Sequence, residues 1–319
     1  MNPCAHALIM PCLALVAFEA FAQSFPAKPV RVLVGFPAGG SIDIVTRILA
    51  QALTDSTGQN FIVDNRAGAG GNLAVEALVR ADADGYTILN GATGLAVNPS
   101  LYRKVNYTLD DLAPIAVVGE APVLFMAHPS VPANSIPELI KLAKAKPGAV
   151  RAAILNGTTA HLASDMFRMM TGIDMPLVPY KGGGQAFQDV IGGQVEVVVL
   201  PMSESLAYVR AKRVKALGQT GATRSSLAPD IPTLDEAGVK GYAVTAWYMI
   251  CGPARMPREL VTRLSAEISK VLKQPETVTK MKNVGVEIIA GTPEQAAKFL
   301  RAEADKWAKL IQWSGARAD

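Results

Sequence analysis

The chain has 319 residues, half of them hydrophobic, enough to bury the core of two domains or of one large one. Its formal charge is +4 and its 31 lysines and arginines are scattered along the chain, which excludes the concentrated basic face that a nucleic-acid binder needs to displace counterions. Aromatics are few beside abundant Ala, Val, Leu and Gly, a composition that suits packed strands and helices better than a β-sandwich.

Ala7 to Phe18 is an apolar run broken only by Pro11. It is too short to span a bilayer and has the length of a signal-peptide h-region, although no Lys or Arg precedes it. Ala20-Phe21-Ala22 supplies the small residues that a signal peptidase requires. Residues 1–22 are therefore expected to be a signal peptide cleaved near Ala22, and no later segment reaches about 18 uninterrupted apolar residues. The exported chain is expected to be released into the periplasm. Cys4 and Cys12 leave with the signal, so Cys251 stands alone and forms no internal disulfide. Its apolar setting, Trp247-Tyr248-Met249-Ile250-Cys251, predicts a buried, inert thiol.

Strands are predicted over 30–36, 61–63 and 86–89, alternating with helices over 42–53 and 72–81. This βαβαβ order implies a mainly parallel sheet covered on both faces. A second set follows: a helix from the Ser135 cap to Lys146, then strands over 150–154, 177–179, 195–200 and 215–219. Helices over 160–170, 185–191 and 203–211 separate them. A strand from Tyr242 to Gly252 leads into helices over 257–273, 275–284 and 293–314, each with a proline at or near its start. No Gly/Ser or Pro-rich linker divides the two sets. The junctions at 121–128 and 242–252 are themselves strand-like. The predicted fold is α/β with two lobes and two strand-like hinge crossings: residues 23–121 and 243–319 in lobe 1, and 122–242 in lobe 2.

Four glycine-rich loops each follow a strand and open a helix. The first is Phe36-Pro37-Ala38-Gly39-Gly40-Ser41-Ile42-Asp43. Glycines there let backbone approach a ligand, and a helix N-terminus offers unpaired N–H groups with a positive dipole end. Ser41 and Asp43 read either as ligand contacts or as helix caps. The others are 65–72, Asn156-Gly157-Thr158-Thr159-Ala160-His161, and Tyr180-Lys181-Gly182-Gly183-Gly184-Gln185. Neither G-x-G-x-x-G nor the Walker pattern occurs in the first loop. His161 reads as a ligand contact or as a packing and capping residue. Paired catalytic carboxylates, H-x-x-x-H, C-x-x-C and G-x-S-x-G are absent. The chain is therefore expected to be no enzyme and to hold no metal or cofactor.

Together these loops resemble the Bug family, the extracytoplasmic receptors of tripartite tricarboxylate transporters. The resemblance continues through Asp84-Gly85-Tyr86-Thr87, Asn98-Pro99-Ser100-Leu101-Tyr102, Val178-Pro179-Tyr180-Lys181-Gly182, Ile191-Gly192-Gly193-Gln194-Val195, Asp230-Ile231-Pro232-Thr233 and Glu236-Ala237-Gly238. It implies a two-lobe periplasmic-binding-protein (Venus flytrap) fold, a small organic carboxylate as ligand, and membrane transporter subunits as partners. A monomer is expected. A sensing co-receptor for a membrane kinase would have the same fold. The family often carries an Asp-Asn pair after its apolar strand; here the stretch is Leu200-Pro201-Met202-Ser203-Glu204-Ser205. A less polar distal end of the ligand is expected, with Ser203 as the compensating polar group. The resulting candidate ligand contacts are Phe36, Ala38, Gly39, Gly40, Ser41, Asp43, Asn156, Gly157, Thr158, Thr159, His161, Lys181, Gly182, Met202, Ser203 and Trp247. For Trp247 and its neighbour Tyr248, hinge packing is the alternative.

Overall fold

The computed structural model describes residues 25–156, 158–315 and 317. The signal-peptide assignment and Gly157 lie outside the described residues. The chain begins with β1 (Val30–Val34), α1 (Ser41–Thr57), β2 (Phe61–Asn65), α2 (Asn72–Val79), β3 (Thr87–Ala92) and α3 (Gly94–Leu101). The long strand β4 (Leu112–Ala127) leads out of this lobe. The second lobe contains α4 (Ile136–Ala145), β5 (Ala152–Leu155), α5 (Thr159–Thr171), β6 (Leu177–Tyr180), α6 (Gly183–Ile191), β7 (Val197–Pro201), α7 (Met202–Arg210) and β8 (Lys215–Gln219). The chain then returns through β9 (Thr245–Pro253), α8 (Arg258–Leu272), α9 (Pro275–Asn283), β10 (Glu287–Ile288) and α10 (Pro293–Ser314).

The strands follow the order β2-β1-β3-β9-β4-β7-β5-β6, with β8 and β10 also paired to β4. The outer strands of each lobe are parallel, as the βαβ pattern predicts: β1 with β2 and β3, and β5 with β6 and β7. The centre differs from the prediction. β9 is antiparallel to both β3 and β4, and β4 is antiparallel to β7 and β8. β4 joins the lobes because it pairs with β9 from Leu112 to Pro122 and with β7 from Val123 to Ala127. Beside this changeover Thr220 ties the two crossings together. Its hydroxyl donates to the Val244 carbonyl (2.5 Å) and accepts from the Val123 N–H (2.8 Å).

Alternation along the strands divides the core. In β1, Val30, Val32 and Val34 face α1 and α8, packing with Val45, Leu49, Leu264 and Ile268. Leu33 faces the other way, into a cluster with Leu78 of α2, Leu95 of α3 and Leu300 of α10. That second cluster continues along β4 into the other lobe, where Phe125 meets Phe167 with ring centroids 4.8 Å apart. The local signals for helix starts hold: Ser135 accepts from the Glu138 N–H, and Thr292 and Gln295 cap α10 reciprocally. Two elements were not predicted, α3 and the short β10.

Candidate functional site

The loop between β1 and α1 is shaped by Asp43, which is buried one turn into the helix. Its carboxylate accepts from the Gly39 N–H (2.9 Å), Arg47 Nε (2.9 Å) and Asn65 Nδ2 (2.9 Å). Gly39 adopts a left-handed φ of 84°, a conformation that favours glycine. Burial alone pushes the Asp43 carboxyl up, but the bonds from Arg47, Gly39 and Asn65 outweigh it and hold the pKa below the ordinary 3.8. Asp43 thus fixes the loop rather than lining the cleft. Replacing it with alanine is expected to cost about 2 kcal/mol, less than a fully buried pair because Arg47 is half exposed. The depressed pKa means this contribution is present at neutral pH and lost as pH falls through the native pKa. Thermal melts of wild type and Asp43→Ala at pH 7 should differ, and the gap should narrow in acid.

Between the lobes lies a cavity of about 210 Å³. The N-termini of α1, α3, α5 and α6 open onto it through Gly40–Ser41, Thr93–Gly94, Thr158–Thr159 and Gly182–Gly183. Such termini carry unpaired N–H groups and a partial positive charge. Apolar wall is supplied by Phe36, Ile42, Leu155, Leu200 and Pro201. Among the described residues, no Lys, Arg or His lines it. The lobes touch across the cleft: the Thr93 and Thr159 hydroxyls are 2.5 Å apart, and the Ser203 and Tyr248 hydroxyls 2.9 Å.

Of the sequence-derived candidates, Phe36, Ala38, Gly39, Gly40, Ser41, Thr158, Thr159 and Gly182 line this cavity. Asn156 and Lys181 are exposed and do not line it. His161 is buried on α5 and pairs with Asp165 one turn later, Nε2 to Oδ2 at 3.2 Å. Met202 is fully buried and packs against Gly285. Ser203 stands just behind the wall, holding Tyr248. Trp247 does not line the cavity because Ala246 and Tyr248 do, and successive residues of a strand face opposite sides. Its indole instead packs under α10.

The candidate list omits Glu204, which lines the cavity from the first turn of α7. Burial pushes its pKa from the ordinary 4.5 up to about 7, against a single lowering hydrogen bond from the Ser41 N–H. Tyr248, also on the wall, is hydrogen-bonded to Ser203, and burial raises its pKa. Cys251 is buried, with its thiol pushed up to about 12 by burial. Among the described residues, no group of three or more His, Cys, Asp or Glu could hold a metal, and no helix is long and apolar enough to cross a membrane.

A family model described as the tripartite tricarboxylate transporter family receptor, TctC, matches residues 45–316. The chain belongs to this family. A relative, protein BugT of Bordetella pertussis, is 34% identical over 309 residues, spanning 95% of this chain and 94% of BugT. Two solved structures share the fold. Rpa4515 of R. palustris, solved with adipate, superposes with a TM-score of 0.88 at 31% identity, covering 91% of this chain and 98% of its own. The periplasmic binding protein BugD gives a TM-score of 0.87 at 31% identity, covering 92% and 99%. The two-lobe periplasmic-binding-protein fold that the family resemblance implies is therefore the fold of this TctC receptor. TctC proteins are solute-binding receptors and not enzymes.

Proposed function

We propose that this TctC receptor captures a small organic carboxylate between its lobes in the periplasm and delivers it to the membrane subunits of a tripartite tricarboxylate-type transporter. The moving bodies are residues 23–121 with 243–319 and residues 122–242, and the unit is a monomer. One observation carries the reading: helix N-termini from both lobes converge on a cavity that has no basic side chain among the described residues. Backbone amides and dipoles are then the groups that meet the anion. The adipate bound to Rpa4515 is consistent with such a ligand. Thr93, Gly94, Thr158 and Thr159, at the N-termini of α3 and α5, are the contacts expected at the charged end, and Phe36 and Leu155 at the apolar end.

A thermal-shift series with mono- and dicarboxylates tests this. A true ligand at one hundred times its dissociation constant adds about 2.7 kcal/mol of stability. The same ligand should bring the lobes together as rigid bodies, which X-ray scattering reads as a smaller radius of gyration. A carboxylate panel that leaves the melting temperature unmoved, while uncharged analogues raise it, would rule the reading out.

A further inference from the structure

Glu204 reaches from α7 in the second lobe to the start of α1 in the first. There its carboxylate lies beside the Ser41 backbone N–H. On its other side it lies against Gly183, the first residue of α6, and a Cβ at position 183 would overlap the Glu204 carboxyl group. The carboxyl has this seat only because residue 183 has no side chain. It therefore rests between two helix N-termini, one from each lobe, inside the cavity. Among the described residues, Glu204 is, apart from the Tyr248 phenol, the one ionisable side chain on the cavity wall.

Opposed helix termini in a desolvated gap form a place for a carboxylate. In this chain the protein supplies that carboxylate itself. We infer that Glu204 fills, with a tethered carboxyl group, the place that the second carboxylate of a dicarboxylate would take, and so restricts this receptor to monocarboxylates with an apolar body. The inference rests on the carboxylate-receptor reading above and narrows it. The N-termini of α3 and α5 remain for the ligand's single carboxylate, and Phe36, Ile42, Leu155 and Leu200 for its body. The exclusion has two parts. The carboxyl group occupies the seat in either protonation state, and when charged it also repels a second anion across a medium that screens weakly.

Hexanoate and adipate share a six-carbon chain and differ by one carboxylate, so calorimetry with this pair at pH 8 separates the two classes. Wild type should bind hexanoate at least about tenfold more tightly than adipate. Glu204→Ala, checked for folding by its melt, opens the seat and should improve adipate binding by about tenfold or more. Adipate binding to wild type as tightly as hexanoate overturns the inference without any variant and leaves the carboxylate reading standing. A folded Glu204→Ala that gains nothing toward adipate also overturns it. Adipate binding by the variant when wild type binds neither acid supports it. If neither protein binds either acid, both readings fall.

Discussion

Replacing Trp247 with alanine is expected to destabilise the protein by about 3–5 kcal/mol. The indole is fully buried on the side of β9 that faces away from the cavity. It meets Phe299 edge-on, with ring centroids 5.5 Å apart, and its Nε1 donates to Glu303 Oε2 at 2.9 Å. Trp307 Nε1 donates to the same oxygen at 2.8 Å. A single carboxylate held by two indoles thus clamps α10 to β9. Alanine would leave a large void and remove one of the two donors. Urea denaturation should show a lower midpoint with an unchanged slope. A loss under about 1 kcal/mol would mean that α10 is held by other contacts. Ligand affinity of the folded variant should not change, because the indole does not line the cavity.

The second large effect is a pH dependence with Glu204 as its source. The native pKa of about 7 stands above the ordinary 4.5 because burial disfavours the charged form. The native state therefore holds the proton more tightly than the unfolded chain. Stability from this group is fully present below pH 4.5 and is lost as pH rises to about 7. The span corresponds to about 3 kcal/mol. Glu204→Gln keeps an acceptor for the Ser41 N–H and removes the charge. Its stability should match wild type near pH 4 and exceed it by about 3 kcal/mol at pH 8. The groups around Glu204 do not mask the effect: Ser41 and Gly183 do not titrate, and the pKa of Tyr248 is raised above its ordinary 10.0. Asp43 and Glu196, whose pKa values are lowered, titrate in both proteins and cancel in the difference. A gap between the two melts that stayed constant from pH 4 to 8 would refute the assignment.

Much of this site was legible in the sequence because glycine loops between strand and helix leave strong local signals. The loops at 36–41, 158–159 and 182 meet at one cavity, and α10 and β8 have the predicted limits. What the sequence hid depends on longer-range geometry. α3 lacks an amphipathic stripe, since six of its eight residues are buried, and Pro99 within it argues against a helix. β4 is mostly buried along its length, so alternation could not show that it is one strand shared by the two lobes. Glu204 reads as an ordinary acid in a helix's first turn, where it suits the dipole. The useful signal was its place, one turn beyond the carboxyl end of a buried strand, where open α/β sheets bind ligands. For Trp247 and Tyr248, strand parity already allowed only one of the two to face the cleft.

The position of β9 bears on how the chain reaches its folded state. It lies between β3 and β4, so the sheet begun by β1 to β3 lacks a central strand until residue 253 has emerged. The intervening lobe must be looped out first, and pairings so distant in sequence form slowly. A partial chain would expose the edges of β3 and β4 instead of settling into a stable half. Late closure of this kind keeps the newly made polypeptide open until its last central strand is available.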